Sequence, residues 1–398
     1  HPLKFFWFFL FTKRTVPSHS KHGSRKYRYL YEMKQSVALS LVPGVGSRHM
    51  RRLIETFGSA DAVMEADIEQ LMSAGLPLRL AQSVASRESE ARARSVLDLC
   101  ERTGVRVLTS EMSDFPRAFA ECPDAPCVLY VRGEIDFNSG HWISVVGTRN
   151  ATPGGVAAAE RVVRDISLRS TDSVIVSGLA FGIDKAAHVA ALKYRLRTVA
   201  IMAGWVDDIV PRSHYYLARQ ILESGGAIVS DMPPGTVIDR GNFLSRNRLV
   251  AGLSAATIVV ESAARGGSLV TADIASSYHK ELFALPGPID APASEGTNML
   301  IRSNKAILYQ SAEDVWDTLN WSAEPPRAAA APSPAPSLSA LTERQRAAYD
   351  AFPEGKRLDA ETLAELWQVP LWEASSLVGQ LRAKGLVAVD PYKCYYKI

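Results

Sequence analysis

Cysteine is scarce in this sequence: its 398 residues include only Cys100, Cys122, Cys127 and Cys394. Four cysteines in so long a chain do not make the disulfide framework of a small secreted protein, so we expect a reducing, cytoplasmic environment. Cys122 and Cys127 form one C-x4-C pair without a second Cys or His pair nearby, and two prolines lie between them. The sequence therefore predicts a plain turn here and no zinc site.

Long apolar runs and a strong net charge are also lacking. The longest apolar run, residues 5–11, is far shorter than the roughly 18 residues that a membrane-spanning helix needs, so no membrane association is predicted. The 45 Lys and Arg exceed the 42 Asp and Glu by three, but residues 1–32 alone hold seven basic residues and one acidic residue. The remaining chain is slightly acidic, so the global charge does not indicate nucleic-acid binding, and any such site would need local clustering of Arg and Lys.

We predict that residues 1–32 are an extension without a fold and that residues 33–104 form a small helical domain. Apolar side chains recur there at helical spacing, and Pro43-Gly44-Val45-Gly46 separates two predicted helices. Such a turn is typical of a helix-hairpin-helix, or SAM-like, domain, which binds a DNA phosphate with backbone N–H groups. A tight turn between helices without a ligand is an equally good interpretation.

Residues 105–320 alternate short β-branched runs with helical stretches. The near-continuous Ile and Val runs suit strands that are buried on both faces, and the helical stretches supply the crossovers of a mostly parallel sheet. The fold class is therefore α/β, with a Rossmann-like doubly wound domain. The predicted strands are residues 105–109, 143–147, 174–177, 198–202, 227–230, 257–261, 282–285 and 306–309.

The composition changes abruptly after Trp321. Residues 321–340 are rich in Pro, Ala and Ser and predict an exposed linker. Residues 341–398 predict three helices, from residue 342, over 359–367 and over 371–384, and then two strands, 386–389 and 392–398, which is the order of a winged helix. Its third helix offers only Arg382 and Lys384, against Glu373, so DNA contact and a protein-contact or regulatory role both stay open.

Ligands of an open parallel sheet bind beyond the carboxyl ends of its strands, and two glycine-bearing loops lie there. Residues 147–155 follow the second predicted strand, residues 177–184 follow the third, and each loop opens into a helix. Such a loop lets a phosphate approach the backbone N–H groups at the positive end of a helix. Packing alone would explain either loop by itself, but the two together favour a binding site.

Two further segments add positive charge to the predicted crevice. Arg246 and Arg248 flank Asn247 in a helical stretch, and Arg265 precedes Gly266 and Gly267, with Ser268 as the predicted N-cap of the next helix. We expect Arg149, Arg246, Arg248 and Arg265 to converge, because guanidinium groups match phosphate oxygens and stack on bases. Phe243 precedes this run and is a candidate for base stacking or for core packing.

The usual signatures of nucleotide-dependent catalysis are missing. The sequence has no P-loop, no G-x-G-x-x-G with a suitable downstream acid, and no carboxylate cluster for two metal ions. We therefore predict no cofactor, no metal and no enzymatic activity. Asp184 and His188 lie one helical turn apart and would suit an acid/base pair, but we favour a structural role because this spacing is common at helix starts.

Four segments together resemble the DNA processing protein A (DprA/Smf) family. They are VVGTR (145–149), SGLAFGIDKAAH (177–188), RNRLVAGLS (246–254) and GSLVTA (267–272), and PG (286–287) with EGTN (295–298) also fits. The resemblance covers roughly residues 35–310. It implies a cytoplasmic bacterial homodimer that binds single-stranded DNA in a basic pocket, protects incoming DNA and loads RecA recombinase in natural transformation and recombination.

The residues expected to bind DNA combine the local chemistry with this resemblance. Many family members have Lys or Arg where this chain has Phe181, so one phosphate contact is lost or has moved to Lys185. The complete set of expected contacts is Arg149, Lys185, Phe243, Arg246, Asn247, Arg248, Arg265, Gly266, Gly267 and Ser268.

The rival interpretation is an enzyme, a nucleotide-cleaving phosphoribohydrolase of the lysine-decarboxylase-like group. That group is marked by Pro-Gly-Gly-x-Gly-Thr followed by a catalytic Glu. The corresponding stretch here, residues 265–271, lacks that Glu. The sequence therefore favours a DNA-binding protein.

Overall fold

The computed structural model describes residues 33–321, 341–353, 356–383, 386–389 and 394–397. The predictions for residues 1–32 and for most of the linker lie outside these described residues. Contacts within the chain divide it into two units, His1–Pro326 and Arg327–Ile398. Each unit is described by itself below.

In the described residues, a helical segment comes first in the first unit. Asp67 and Gln70 form a reciprocal capping box at one helix start, while Gly58 and Gly104, both in the left-handed conformation, end two others. The predicted turn is present, and Gly44 within it has φ +87°. The helices are residues 33–40 (α1), Ser47–Phe57 (α2), Ala60–Glu65 (α3), Ile68–Ser73 (α4), Leu78–Ala85 (α5) and Ser89–Thr103 (α6).

A nine-stranded sheet follows, in the order β1-β2-β6-β5-β4-β3-β7-β8-β9. Strand β2 pairs antiparallel with β1 and with β6, and the other strand pairs are parallel. The strands are Arg106–Thr109 (β1), Val128–Arg132 (β2), His141–Val146 (β3), Ser173–Ser177 (β4), Arg197–Ile201 (β5), Ala227–Ser230 (β6), Ala256–Val259 (β7), Glu281–Ala284 (β8) and Ile307–Leu308 (β9). The mostly parallel α/β sheet that the sequence predicts is therefore confirmed.

All eight predicted strands occur, with small shifts at their ends, and β2 is an additional strand that was not predicted. Residues 128–131 of β2 are buried, and the strand begins two residues after Pro126 of the predicted turn. A short apolar run bounded by such a turn is the ordinary signal of a buried strand. Because β2 lies between β1 and β6, it gives the parallel sheet an antiparallel edge.

Helices cover both faces of the sheet. Val174 and Val176 of β4 belong to one hydrophobic cluster and Ile175, which lies between them, belongs to another, as expected when successive side chains point to opposite faces. The helices of this region are Pro153–Arg169 (α7), Ile183–Lys193 (α8), Tyr215–Glu223 (α9), Arg240–Leu253 (α10), Gly267–Ser277 (α11), Glu295–Arg302 (α12) and Ala312–Thr318 (α13).

The winding of the chain reverses at β3. From β3 the chain adds β4, β5 and β6 on one side, whereas β7, β8 and β9 lie on the other side. The carboxyl ends of β4, β3 and β7 therefore surround a topological switch point, where doubly wound sheets open a crevice. The helical segment shares its hydrophobic core with this sheet, since Val96 of α6, Val107 of β1 and Tyr130 of β2 belong to one cluster.

The second unit has its own core of Phe352, Leu363, Val378 and Leu381. Strands β10 and β11 pair antiparallel, and Leu358 forms an isolated bridge with Tyr395. The predicted order of three helices and two strands is present, with Lys384 outside the described residues. These elements are Glu343–Ala351 (α14), Ala360–Trp367 (α15), Leu371–Ala383 (α16), Val387–Val389 (β10) and Tyr395–Lys397 (β11).

Over all the residues that the structure describes, no helix combines the length and the apolar composition needed to cross a membrane.

Candidate functional site

A crevice of about 370 Å³ opens at the switch point. Three loops, which follow β3, β4 and β7, form its walls together with α10 and the start of α11. The lining residues are Val146, Gly147, Thr148, Arg149, Gly178, Ala180, Asp184, Arg240, Phe243, Leu244, Arg246, Asn247, Val250, Gly266, Gly267, Ser268 and Thr271. The two glycine-bearing loops of the sequence analysis thus meet in one place.

Backbone hydrogen bonds join the three loops. The N–H of Thr148 donates to the carbonyl of Glu261 at 2.8 Å, and the N–H of Ile183 donates to the carbonyl of Thr148 at 3.2 Å. Gly182, at φ +74°, lets the second loop approach the first, because a Cβ there would lie 2.2 Å from the Thr148 oxygen. The loops are therefore held in a fixed relation before any ligand binds.

Arg246 places a buried positive charge at the crevice wall. Its side chain is 5% exposed, and Nη1 donates to the carbonyls of Gly178 at 2.6 Å and Ile201 at 2.5 Å. Burial lowers the pKa of Arg246, and the nearby Asp184 opposes that shift. A guanidinium keeps its charge under such conditions, so Arg246 adds a fixed cation to the site.

Asp184 holds the loop that carries Gly178. Its Oδ2 accepts hydrogen bonds from the N–H of Gly178 at 3.1 Å and of Ala180 at 3.4 Å. Burial raises the pKa of Asp184, while Arg246 and these hydrogen bonds lower it. The carboxylate thus positions the crevice loop and balances part of the Arg246 charge.

His188 takes no part in the crevice lining. It is fully buried, its Nδ1 lies 2.7 Å from Thr198 Oγ1, and burial, with Arg246 and His214, lowers its pKa to about 3. Its imidazole is therefore neutral at physiological pH. Because Asp184 and His188 have different hydrogen-bond partners, the geometry favours the structural interpretation of this pair over an acid/base pair.

Arg149 and Phe243 form one side of the opening. The exposed Arg149 guanidinium lies over the ring of the partly exposed Phe243, 5.1 Å from its centroid. In residues 33–321 no carboxylate forms an ion pair with Arg149. Arg149 can therefore bind an anion, and the Phe243 ring lies in the crevice instead of in the core.

The start of α11 differs from the predicted capping arrangement. Gly266, not Ser268, is the N-cap, and no side chain caps this helix. Ser268 lies inside the first turn, where its hydroxyl donates to the Ser262 hydroxyl at 2.9 Å. The prediction of Ser268 as N-cap is wrong, but an uncapped helix start bordering the crevice suits an anion.

Arg248 does not join the other arginines, which corrects the predicted convergence. Its guanidinium pairs with the Asp231 carboxylate and donates to the Asp124 carbonyl at 2.6 Å, with Ser47 Oγ at 3.4 Å. Two residues along an α-helix correspond to about 200° around its axis, so Arg246 and Arg248 face opposite directions. Arg248 lines a separate cavity beside the start of α2.

Arg265 and Lys185 flank the crevice without lining it. Both side chains are exposed. Lys185 directly follows the lining residue Asp184, and Arg265 directly precedes the lining residue Gly266. Of the four arginines expected to converge, Arg149 and Arg246 line the crevice. Asn247, Phe243, Gly266, Gly267 and Ser268 line it as well.

Arg240, the first residue of α10, is a crevice residue that the sequence pattern did not single out. Arg240 is exposed and lines the crevice together with Phe243 and Asn247. The spacing i, i+3, i+7 places these three residues on one helix face and is the signal that would have identified Arg240.

Comparison with known proteins identifies relatives of this chain. The family model described as DNA recombination-mediator protein A matches residues 106–320. Protein Smf of Escherichia coli (strain K12) is 36% identical over 255 residues, which are 64% of this chain and 67% of that protein. The putative DNA processing protein DprA of Mycobacterium tuberculosis is 36% identical over 289 residues, 69% of this chain and 72% of that protein.

A solved structure is also similar to this chain. It is that of DNA processing protein A (DprA) from Streptococcus pneumoniae, with a TM-score of 0.62 and 27% identity, covering 72% of this chain and 97% of that chain.

Proposed function

Since the chain belongs to the DNA recombination-mediator protein A family, we propose that it is a DNA-processing protein that holds single-stranded DNA in the crevice for RecA recombinase. The proposal includes a homodimer, a cytoplasmic location and a role in natural transformation and recombination, as the resemblance implies. It also includes a helix-hairpin-helix, or SAM-like, domain in residues 33–104 and a winged helix in residues 341–398, joined to residues 105–320 by the linker 321–340.

The observation that carries the proposal is the meeting of cations and an uncapped helix start in one crevice. Arg149, Arg240 and Arg246 lie there with the first N–H groups of α11. Guanidinium groups and helix N-termini both bind phosphate oxygens. Phe243 adds an aromatic ring beside the cations, and stacking on such a ring needs a base that is not paired in a duplex.

The lining residues support binding without catalysis. The Ser268 hydroxyl donates to Ser262, and the Asp184 carboxylate accepts from two backbone N–H groups. Neither group has an adjacent base or acid that would activate it for attack on a phosphate or a sugar. Release of free base from nucleoside monophosphates would favour the phosphoribohydrolase instead.

A salt titration of DNA binding tests the proposal. The full chain is titrated with fluorescent oligodeoxythymidylate and with a duplex of equal length over a range of salt concentrations. We expect tighter binding to the single strand and a linear fall of log K with log salt, at about 0.7 per phosphate contact. Equal affinity for the duplex, or no measurable single-strand binding, would overturn the proposal.

A further inference from the structure

Three aromatic side chains are exposed beside the crevice and have no role in the site described above. Phe181 is 51%, Tyr215 57% and Tyr216 76% exposed. Phe181 follows the lining residue Ala180 in the loop after β4, and the two tyrosines open α9, which follows β5, the neighbour of β4. These residues form what we call the aromatic platform.

A buried histidine links the two parts of the platform. His214 directly precedes Tyr215, is 2% exposed, and its Nδ1 lies 2.8 Å from the Leu179 carbonyl. The Phe181 ring packs edge-on against the His214 ring at 4.9 Å, and the two tyrosine rings are 5.9 Å apart. Phe181 is therefore supported on one side by a fixed residue, while half of its surface faces solvent.

Positive charge accompanies the platform on both of its elements. Lys185 is exposed on the first turn of α8, just after Phe181, and Arg212 is exposed just before His214. No acidic residue lies among residues 209–220, where the tyrosines are found. Exposed rings interleaved with cations are the chemistry of a single-strand track, where bases stack and phosphates pair with Lys and Arg.

We propose that the aromatic platform is a second subsite, which stacks bases of the strand whose phosphates lie in the crevice. The inference rests on the proposed function, because the platform continues the crevice along the carboxyl edge of the sheet, from β3 and β4 toward β5. An apolar protein partner would also cover exposed rings. The flanking Lys185 and Arg212 and the continuity with a cationic crevice favour a nucleic-acid strand.

Ring-removing variants test the platform in the full chain. Phe181→Ala and Tyr216→Ala are each expected to weaken binding of an oligodeoxythymidylate of about 20 nucleotides by about 5-fold to 100-fold. Their salt slopes should equal that of the wild type, because a ring releases no counterions. Tyr216→Phe keeps the ring and is the matched control, with affinity expected to equal that of the wild type.

A shorter oligonucleotide separates the two subsites. An oligodeoxythymidylate of about 4 nucleotides fills only the crevice, so the same variants should bind it as the wild type does. Abasic sites placed in turn along the longer strand give a second, independent measurement. An abasic site at a stacked position should weaken binding to the wild type and have no further effect on Tyr216→Ala.

The outcomes distinguish the platform from the crevice. Wild-type affinity for the long strand in both ring-removing variants, with Arg149→Ala still defective, would overturn the platform and leave the proposed function intact. Absence of single-strand binding by the wild type would overturn both. A change of oligomeric state in the variants, with DNA affinity unchanged, would make the platform an interface between copies of the chain and would also overturn the inference.

Discussion

The cations of the candidate site differ in what surrounds each guanidinium. Arg246 is buried and already donates two hydrogen bonds to carbonyls, so it supplies charge and holds the Gly178 loop. Arg149 is exposed and rests on Phe243, so its hydrogen-bond donors are open to a ligand. Arg248 is enclosed with Asp231 outside the crevice. Three arginines that look alike in the sequence therefore have three different roles.

Arg149→Ala and Arg248→Ala should affect different measurements. We expect Arg149→Ala to weaken binding to single strands of any sequence and to reduce the log–log salt slope by about 0.7, because one phosphate contact is lost. We expect Arg248→Ala to keep the slope but to lower the free energy of unfolding by about 3 kcal/mol, because Asp231 is left buried without its partner. Salt titrations and denaturant unfolding of both variants measure the two effects.

The two variants control for each other, since each removes one arginine from the same domain. An Arg248→Ala variant that is stable but has a smaller salt slope would contradict the assignment of Arg248 to a structural pair. It would return that residue to the DNA-binding set expected from the sequence.

His188 gives the folded state a pH dependence. The pKa of its imidazole is about 3 in the folded chain against 6.5 for an ordinary histidine, so the unfolded chain binds a proton between these values that the folded chain does not. The free energy of unfolding therefore does not depend on this residue's protonation above pH 6.5. As the pH falls below 6.5, the free energy of unfolding decreases by up to about 1.4 kcal/mol per pH unit.

Denaturant unfolding between pH 8 and about 5 measures this slope. His188→Gln keeps a polar atom near Thr198 but cannot be protonated, so the variant should lose this part of the slope even if it is less stable at every pH. A variant with the full wild-type slope would show that other groups cause the acid sensitivity.

At the scale of single elements, the sequence predicts the parallel strands well and the helix faces less well. Fully buried strands appear as uninterrupted apolar runs, which is why β3 to β8 were found close to their observed bounds. The direction of a side chain on α10 depends on the angle between residues, which turns Arg248 away from Arg246 and places Arg240 on the face of Phe243 and Asn247. The cap of α11 depends on loop geometry after Arg265, which local residue preferences do not determine.

The uncapped start of α11 leads to a substitution with opposite effects on stability and binding. A Cβ at Gly267 meets no atom within 4 Å, so Gly267→Asp fits without a steric clash. Its carboxylate at the positive end of the helix should stabilise the fold by about 0.3 to 1 kcal/mol. The same charge should repel a DNA phosphate and weaken single-strand binding on the order of tenfold.

Gly267→Ala is the matched control, because it fills the same space without adding charge. Thermal unfolding and DNA titration of both variants give the comparison. If Gly267→Asp binds DNA as tightly as Gly267→Ala, the start of α11 does not contact phosphate.

At the scale of the whole molecule, the division into segments was predictable from composition, but the sharing of cores was not. The Pro, Ala and Ser content after Trp321 marks the region where the chain separates into two units. No local signal shows that the helical segment 33–104 and the sheet share one hydrophobic cluster, because tertiary packing alone brings Val107 of β1, Tyr130 of β2 and Ile228 of β6 together with Val96 of α6. The sequence therefore predicts that the helical segment is a separate domain, whereas its packing makes it part of the same core as the sheet.

Truncated chains test this difference. We expect residues 33–321 to fold and to bind single-stranded DNA in the crevice, because the first unit has its own cores and contains every lining residue. We expect residues 105–321 alone to be insoluble or only partly folded. Without α6, Val107 and Tyr130 lose apolar partners such as Val96, and each side chain left exposed costs about 1.5 to 3 kcal/mol.

Circular dichroism melting, solubility and DNA titration of the two chains provide the measurements. A cooperatively melting 105–321 chain with wild-type affinity would show that the helical segment is an independent domain, and loss of folding in 33–321 would show that the C-terminal unit stabilises the first.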